Sequence, residues 1–468
     1  MASTRAIVIG GSMAGLCAAR VLCDFFDRVT VIDRDSFPEG ALERAGVPQS
    51  RHVHALLARG RLELEALFPG FERTMLEGGA HVINFGQDFA ALRANGWAPR
   101  RVDKITTLFA SRALIEAIVR ELLRKLPNVE LMERSDATGL IVASNGAMSV
   151  RGVRVRPRDG GTERELEADL VADVSGRGSK SPAWLREIGL EPPEETVVDS
   201  FSGYASRWFK APEPQRRPRE WWWKGIWLEP KIPEHMTAGV LFPLENDRWL
   251  VTLAGIGGHY PPSDEEGFME KLKSLRSPII AEVVRLAEPI SPVYSNRAMA
   301  NRWRHYESWK ARLDGFVALG DSVCAFNPVY GQGMTSGAIA AAILRDCLKR
   351  QGACSPDLPP SFFKALARFA GAPWGMATGA DFAVPGTVGK RPLISRILDP
   401  VVGRILTAGN DDPVVRDRIG EVINMLKPPS ALLELPILRR ALLATMRRIK
   451  RQPGSIPAMP PPAAEPAG

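Results

Sequence analysis

The sequence predicts an α/β fold that is interrupted by a β-rich region and followed by helices. Residues 5–35 read strand, glycine turn, helix, strand ("RAIVIGGSMAGLCAARVL", then "RVTVIDRD"), a pattern typical of a parallel sheet covered by helices. Between Phe201 and Ala254 the pattern changes to short antiparallel strands with a turn at 245–247. Beyond Cys354 the chain becomes helical with proline breaks.

Composition limits the class of protein. The chain has 468 residues, 45% hydrophobic and 24% charged, which is enough for a large core and roughly three domains. No stretch approaches the roughly 20 apolar residues of a membrane span, so an integral membrane protein is excluded. Residues 6–9 already form a predicted strand, and no signal sequence precedes it. We therefore expect a cytoplasmic protein.

Five cysteines without a CxxC indicate reduced thiols, with neither disulfides nor a zinc site.

The charge balance points weakly to an anionic partner. Lys+Arg 61 against Asp+Glu 53 gives a net charge of +8, but the excess is dispersed and accompanies no nucleic-acid motif. We expect no nucleic-acid partner. The densest basic run lies near the C-terminus, where apolar residues recur at helical spacing at Leu435, Leu438, Leu442, Met446 and Ile449. This pattern fits either an interfacial helix that contacts a membrane surface or a helix packed on the body with a solvated basic face.

The first motif that carries chemistry is Gly10-Gly11-Ser12-Met13-Ala14-Gly15, which follows a strand and opens a helix. A tight turn at Gly10, backbone N–H groups facing a diphosphate and close helix packing at Gly15 are what a dinucleotide requires. Ser12 replaces the usual middle glycine by one of the smallest alternatives. Asp33 ends the second strand, where an acid can bind a ribose hydroxyl. The sequence predicts a dinucleotide cofactor here.

A second motif, "GDSVCAFNPVYGQGMTSGAIAAAIL", starts at Gly320. Asp321 at a strand end can reach a ribityl or ribose hydroxyl, and residues 328–333 allow bare backbone to approach a flat ring. The helix that follows would place partial positive charge beside an anionic reduced flavin. An ordinary glycine loop that caps a helix is the alternative.

Together, "VIGGSMAGL" with Asp33, "ADVSGRGSKSP" and "GDSVCAFNPVYGQGMT" resemble the FAD-dependent aromatic hydroxylase superfamily, which includes para-hydroxybenzoate hydroxylase and squalene epoxidase. The "GVPQSRHVHALLARG" block is similar to bacterial epoxidases of polyene polyketides. The resemblance spans about residues 5–350 and implies a Rossmann-type FAD-binding domain interwoven with a β-rich substrate domain, plus C-terminal helices. It implies that reduced FAD traps dioxygen as a flavin hydroperoxide, which oxidises an apolar substrate.

The resemblance also implies site residues. Gly10, Ser12, Gly15 and Asp33 would hold the ADP half of FAD, Asp321 the ribityl chain, and Gly331, Gly333 and Met334 the ring, with Arg112 beside the cofactor. The full set expected to bind the cofactor is Gly10, Ser12, Met13, Ala14, Gly15, Asp33, Arg34, Arg51, Arg112, Asp321, Pro328, Gly331, Gly333 and Met334. No catalytic residue is named, because the chemistry belongs to the cofactor.

Two departures from the family pattern concern the electron donor. The middle motif of the family has Asp-Gly followed by a serine and an arginine, whereas this chain has Ser175-Gly176 and then Pro182 in the place of the arginine. NADPH or NADH remains the expected donor, with a partner reductase as the alternative. In the last block Cys324 replaces a common histidine and Thr335 a common asparagine.

Other residues have weaker interpretations. His52 and His54 form an HxH without further ligands, so no metal is expected; His54 would pack near the cofactor and Arg51 would pair with a phosphate. Tryptophans and a phenylalanine of the β-rich region could line an apolar substrate cavity or be plain core. These substrate candidates are Trp221, Trp223, Trp227 and Phe242.

The predicted function is therefore an FAD-dependent monooxygenase, an epoxidase or hydroxylase of a polyketide, terpenoid or aromatic compound. A flavin halogenase, a prenyl-chain reductase and a non-catalytic, membrane-recruited flavoprotein are the alternatives. We expect an FAD-binding domain at 1–75, 105–190 and 295–355, a substrate domain at 76–104 and 191–294, a helical region at 356–451 and a disordered tail at 452–468.

Overall fold

Strands and helices alternate along the chain in the computed structural model, which describes residues 3–145, 147–297, 299–328, 331–449 and 457–461. The strands are β1 (Arg5–Ile9), β2 (Arg28–Ile32), β3 (His81–Asn84), β4 (Phe89–Arg93), β5 (Gly96–Trp97), β6 (Thr106–Phe109), β7 (Val129–Met132), β8 (Ser135–Asn145), β9 (Ala147–Pro157), β10 (Arg164–Glu167), β11 (Leu170–Asp173), β12 (Glu195–Val198), β13 (Gly203–Lys210), β14 (Gly225–Leu228), β15 (Thr237–Leu244), β16 (Arg248–Gly255), β17 (Glu288–Pro289), β18 (Tyr294–Asn296), β19 (Asn301–Arg304), β20 (Phe316–Ala318) and β21 (Cys324–Ala325).

The helices cover the first sheet and build the C-terminal end. They are α1 (Met13–Leu22), α2 (Ala58–Leu67), α3 (Phe71–Glu77), α4 (Phe85–Asp88), α5 (Arg112–Arg124), α6 (Ser181–Glu187), α7 (Glu265–Lys273), α8 (Ile279–Val284), α9 (Gln332–Gln351), α10 (Leu358–Asp381), α11 (Leu393–Ala408), α12 (Pro413–Ile423) and α13 (Leu435–Ile449).

A five-stranded parallel sheet with the order β20-β11-β1-β2-β7 contains the N-terminal strand. Its inner strands are continuous apolar runs such as 6–9 and 170–172, and these residues are buried. Such runs are expected where helices cover both faces of a parallel sheet. The carboxyl ends of β1, β11 and β20 lie side by side, and each is followed by one of the three sequence blocks that carry the predicted cofactor site.

A second, larger sheet has the order β17-β13-β16-β15-β14-β4-β5, with β18 paired to β13. It takes β4 and β5 from the segment before α5 and the remaining strands from residues 203–296, so the chain enters this sheet twice. One face packs on α7 and α8 through Phe268, Leu272 and Ile280. The predicted domain bounds agree with this exchange of strands but stay a prediction.

The C-terminal helices α11, α12 and α13 share a small core of their own. Helix α13 contributes Ile437, Ala441 and Ala444, which are 1–6% exposed, whereas Leu442 is 63% and Met446 52% exposed. The regular apolar spacing that the sequence shows therefore marks mainly the outward face of the helix. The helix nevertheless packs on α11 and α12 through its buried residues, with Leu438 partly buried against the same core, as the packed-helix alternative expects. Contact with a membrane surface stays a prediction.

The predicted disordered tail lies outside the described residues except for 457–461. Within that segment the indole N–H of Trp97 donates to the Pro457 carbonyl at 2.9 Å, and that of Trp222 donates to the Pro461 carbonyl at 3.2 Å. These five residues lie against the large sheet domain, contrary to the expectation for the tail.

Neither a membrane-spanning helix nor a metal-binding cluster is present among the described residues. No helix among them is long and apolar enough to cross a membrane. No group of three or more His, Cys, Asp or Glu side chains among them is placed to hold a metal ion.

Candidate active site

The three sequence blocks meet around Ala14, at the start of α1. A Cβ added to Gly320 would lie 3.0 Å from the Ala14 Cβ, and one added to Gly337 of α9 would lie 2.9 Å from it. The middle block joins them, because the Gly176 N–H donates to Ser322 Oγ at 2.9 Å. Glycine at these positions lets α1, α9 and the loop after β20 approach one another closely.

The turn between β1 and α1 has the geometry of a phosphate-binding turn. Gly10 has φ +105°, and a Cβ on it would lie 2.5 Å from the Val174 carbonyl oxygen. A Cβ on Gly15 would lie 1.8 Å from the Gly10 carbonyl oxygen. Ser12 occupies the N-cap position without a capping side-chain hydrogen bond. The N–H groups of the first turn are thus left for another acceptor, and the helix dipole favours an anion there.

Asp33 and Arg44 hold the other side of this turn. Asp33 accepts the Gly11 N–H at 2.6 Å and pairs with Arg44 at 3.2 Å, and Arg44 also donates to the Gly11 carbonyl at 3.1 Å. Burial raises the pKa of Asp33 even though Arg44 opposes the shift. Arg44 was not predicted from the sequence.

A buried ion pair at the start of α5 lies next to the β1–α1 turn. Arg112 donates to Ser12 Oγ at 2.8 Å and pairs with Glu116, also at 2.8 Å. Burial opposes ionisation of Glu116, but Arg112 and Arg44 hold its pKa below the ordinary value. The second terminal nitrogen of Arg112, Nη1, is buried and has no partner in the part of the chain that the structure describes. A buried guanidinium nitrogen with a free donor, beside an uncapped helix, fits a diphosphate oxygen.

Asp321 closely follows β20 and is partly buried where the blocks meet. Burial raises its pKa, against the opposing effects of Arg177 and Arg112. Arg177 itself donates to the carbonyl oxygens of Ala300 and Phe326, each at 2.5 Å. A carboxyl group in this place can accept a hydroxyl donor of a ribityl chain, as the resemblance implies.

The loop before α9 leaves space at the predicted ring position. Gly331 is left-handed with φ +64°, and a Cβ on it would lie 3.1 Å from the Ala55 Cβ. A Cβ on Gly333 would meet nothing within 4 Å. Gln332 Oε1, next to it, is buried without a partner among the described residues. The open backbone and the unpaired amide oxygen fit a flat, hydrogen-bonding ring at this end of the cleft.

Some predicted cofactor residues have other surroundings. Arg51 pairs with Glu43 at 3.1 Å and stacks on Tyr294 at 4.6 Å, while Arg34 donates to the Gly46 carbonyl at 3.3 Å on the exposed side. Arg44, and not Arg51, is the arginine in contact with the β1–α1 turn; pairing of Arg51 with a phosphate stays a prediction. Met13 and Met334 both pack in the main core, so their side chains are buried; their role at the cofactor stays a prediction.

The substrate candidates divide between the two faces of the large sheet. Trp227 lies on β14 and Phe242 on β15, whereas Trp221 and Trp223 precede β14. Trp227 and Phe242 lie on the face with Phe89 and Phe109. We call this the aromatic cluster, and its members are Ile83, Phe85, Phe89, Phe109, Trp227, Val240 and Phe242.

Trp223 is buried on the opposite face with α7 and α8, and Trp221 packs beside it at 5.1 Å between ring centres. These two tryptophans belong to the core of the β-rich domain. Their position matches the plain-core alternative.

A buried polar chain, not predicted from the sequence, lies on the same sheet face as the aromatic cluster. His52 Nδ1 is 2.8 Å from Ser206 Oγ, which is 2.6 Å from Thr252 Oγ1. Burial lowers the pKa of both His52 and His54 to about 4, with Arg112 adding to the effect at His54. Both imidazoles are therefore neutral at pH 7. The alternation of residues in β13 and β16 is enough to predict that Ser206 and Thr252 share one face of the sheet. The hydrogen bond between His52 and Ser206 could not be predicted from that pattern, because His52 lies far away in the sequence.

Comparison with known proteins identifies the family. A model described as an FAD binding domain matches residues 50–200. Protein Rv3254 of Mycobacterium tuberculosis is 31% identical over 473 residues, which cover 96% of each chain. The chain belongs to the family of protein Rv3254.

Solved structures share the fold. A flavoprotein/dehydrogenase of Cytophaga hutchinsonii has a TM-score of 0.65 at 16% identity, covering 96% of this chain and 99% of that one. The p-nitrophenol 4-monooxygenase PnpA of Pseudomonas putida DLL-E4 has a TM-score of 0.60 at 18% identity (91% and 99% covered). The flavin-dependent brominase Bmp2 has a TM-score of 0.60 at 14% identity (95% and 100% covered).

These findings confirm the predicted fold class and the resemblance to the FAD-dependent hydroxylase superfamily. The fold is that of flavin-dependent monooxygenases and halogenases. Members of this fold differ in their reactions, so the substrate and the reaction have to be argued from the residues of the cleft.

Proposed function

We propose that the protein is an FAD-dependent monooxygenase that transfers one oxygen atom from dioxygen to a large apolar substrate. One observation carries the proposal: the aromatic cluster adjoins the predicted ring position. Val53 and Ala55 pack against this cluster, and Ala55 is also the residue that the Gly331 turn approaches. An apolar wall is thus next to the place where a redox-active ring fits.

The residues of the cleft have distinct tasks in this proposal. The first turn of α1 and Arg112 would hold the diphosphate, and Asp321 the ribityl chain. The backbone at Gly331 and Gly333 would leave room for the ring beside the N-terminus of α9. Bound FAD would supply the redox chemistry, because it takes two electrons from a donor and passes them to dioxygen.

The aromatic cluster would orient the substrate and keep water away from the reacting carbon atoms. In the overall reaction one oxygen atom of dioxygen enters a carbon–carbon double bond or an aromatic ring, and the other leaves as water with two protons and two electrons. Polyketide, terpenoid or aromatic compounds are the substrate classes that we propose.

For the electron donor we propose slow use of NADPH or NADH, or delivery by a partner reductase. The serines of the middle block turn inward, since Ser175, Ser179 and Ser181 all donate to the buried Asp173. Arg177 is occupied by the two backbone carbonyls described above. These contacts leave the middle block with few groups for binding a nicotinamide dinucleotide.

Isotope labelling tests the proposed reaction. The purified holoprotein, incubated with a reductant, ¹⁸O₂ and an apolar extract of the host cells, should give a product that carries one labelled atom. Label from water, or a product formed without oxygen, would contradict the monooxygenase assignment. Product formation that requires bromide or chloride would identify a halogenase instead.

We also propose that α13 docks on an anionic membrane surface, where an apolar substrate would be concentrated. Its outward face combines Leu435, Leu442 and Met446 with Arg439, and Arg447 lies beside them. The sequence 435–449 contains four arginines and no acidic residue. Apolar side chains that enter a headgroup region, together with arginines that pair with anionic lipids, are the features of an interfacial helix.

Vesicle sedimentation tests this docking. The full chain should sediment with vesicles that contain phosphatidylglycerol and much less with pure phosphatidylcholine. Leu442→Asp should abolish binding, whereas Leu62→Asp should leave it unchanged, because Leu62 is an exposed leucine on α2. Equal sedimentation of Leu442→Asp and the wild type would overturn the proposal.

A further inference from the structure

Five buried polar side chains from separate segments meet at the C-terminal end of α10. Asp381 Oδ1 accepts Ser200 Oγ–H at 2.8 Å and Asn327 Nδ2–H at 3.0 Å, and Oδ2 accepts Asn301 Nδ2–H at 2.5 Å. Ser202 Oγ lies 2.8 Å from Ser200 Oγ and accepts a second Asn327 Nδ2–H at 3.3 Å. We refer to these residues as the Asp381 cluster.

The cluster is costly for folding. Asp381 is 3% exposed, and in the described part of the chain no lysine, arginine or histidine forms an ion pair with it. It is also the last residue of α10, where the helix dipole disfavours a negative charge. The titratable groups near it are the Asp199 carboxylate and the Tyr204 phenol. Apolar side chains would fill the same space at lower cost, so the cluster calls for an explanation other than stability.

The cluster holds one point of the loop that leads to the predicted ring position. The Asn327 side chain reaches Asp381, and its backbone N–H donates to Asn301 Oδ1 at 2.6 Å. Pro328 follows directly, and the Gly331 turn and α9 come next. Among the described residues, Asn327 Oδ1 and Gln332 Oε1 are buried without a partner. The Gly331 N–H donates to the Pro328 carbonyl at 2.9 Å, so the position of Asn327 and Pro328 is passed on to the Gly331 turn.

We propose that Asp381 is a positioning residue, which fixes the flavin-facing loop through Asn327 and so places the Gly331 turn and the start of α9 at the ring. The assignment of the ring to this loop rests on the proposed function, whereas the anchoring of the loop does not. The C-terminal helical region thereby becomes part of the active site, because α10 supplies the anchor.

Removal of the Asp381 carboxylate should weaken binding of the flavin end of FAD but not of the ADP end. The ADP end is held by α1 and Arg112, which the Asp381 cluster does not contact. Asp381→Ala should therefore weaken FAD binding about tenfold and shift the flavin absorption bands, while ADP binding to the apoprotein stays as in the wild type. The same variant should speed amide hydrogen exchange in residues 327–333 of the apoprotein.

Two further variants separate positioning from a general loss of packing. Asp381→Asn should restore slow exchange and FAD affinity, because Asn327 can flip its amide and present its unpaired oxygen to the new N–H₂ group. Thr378→Val is the matched control one turn earlier. Among the described residues the buried Thr378 hydroxyl bonds only to the Trp374 carbonyl, so its removal should change neither readout. Asn327→Ala should have the same effect as Asp381→Ala on FAD affinity and on amide hydrogen exchange. It takes the place of Asp381→Ala in the experiment if that variant does not fold.

Exchange in 327–333 that is unchanged in Asp381→Ala and Asn327→Ala would overturn the proposal. Acceleration that Thr378→Val produces equally would also overturn it. A wild-type protein that binds no FAD would refute the proposed function instead, and the exchange data would still decide whether Asp381 anchors the loop.

Discussion

Ala14 of α1 and Gly337 of α9 are in such close contact that a Cβ on Gly337 would lie 2.9 Å from the Ala14 Cβ. This contact joins the first and last sequence blocks, because Ala14 belongs to the predicted phosphate-binding turn and Gly337 to the helix that follows the ring loop. The spacing of α1 and α9 thus controls the distance between the two ends of the cleft.

The first prediction concerns this contact. Gly337→Ala should destabilise the protein by about 1 kcal/mol, since overpacking costs more than the better helix propensity of alanine gains. It should also weaken FAD binding, because α1 has to move. The double variant Ala14→Gly with Gly337→Ala should recover FAD affinity in a fluorescence titration. Gly371→Ala in α10, where an added Cβ meets nothing within 4 Å, is the control and should be neutral or stabilising.

The second prediction concerns the diphosphate end. The purified protein should be yellow and release FAD on denaturation, and Ser12→Glu should abolish this. A carboxylate at residue 12 would face the diphosphate and lie beside Glu116, which Ser12 Oγ now contacts at 3.2 Å. Ser12→Ala should retain FAD. Stoichiometric FAD in a folded Ser12→Glu protein would show that the turn had been assigned wrongly.

How much of this site can be predicted from the sequence depends on how many positions separate the residues that are in contact. The β1–α1 turn is a local pattern, so the close turn at Gly10 and Gly15 is predictable from spacing, whereas the role of Gly331 is implied by the resemblance. The Arg44–Glu116 pair joins residues that are 72 positions apart, and no local pattern indicates it. Helical periodicity found the stripe of α13, but which face of a helix meets a partner is decided by tertiary packing.

The third prediction concerns the pH dependence of stability. Burial raises the pKa of Asp381 from 3.8 to about 6, so the folded state favours the protonated form. The contribution of this group is therefore fully present below about pH 4, falls as the pH rises to about 6 and stays reduced above that. At about 1.4 kcal/mol per pKa unit the loss is on the order of 2–3 kcal/mol. In urea unfolding, Asp381→Asn should gain stability relative to the wild type between pH 4 and pH 7. A difference that does not change with pH would contradict the shift.

The fourth prediction concerns electron supply. Reduction of the bound flavin by NADPH alone, followed by absorbance in a stopped-flow instrument, should be slower than about 1 s⁻¹, the low end of ordinary enzyme turnover. The inward-turned serines and the occupied Arg177 leave few contacts for the donor. Dithionite should reduce the same sample completely, which controls for an inaccessible flavin. Rapid reduction by NADPH would remove the need for a partner reductase.

The fifth prediction separates the two faces of the large sheet. Trp227 belongs to the aromatic cluster beside the ring loop, whereas Trp221 packs on the opposite face with Trp223 and Trp249. Removal of a large aromatic side chain from a binding wall costs on the order of 2 kcal/mol of contact, which corresponds to a loss of tenfold or more in affinity. Trp227→Ala should therefore weaken binding of Nile red, an uncharged apolar dye, by at least about tenfold.

Trp221→Ala is the matched control because it removes the same side chain from the other face of the sheet. Its dye affinity should equal that of the wild type, although its thermal stability should fall, since Trp221 packs against the core of the β-rich domain. Both variants should keep their FAD. If Trp221→Ala and Trp227→Ala weakened dye binding equally, the cavity would not lie on the aromatic cluster, and the apolar wall that supports the proposed substrate class would have to be sought elsewhere in the cleft.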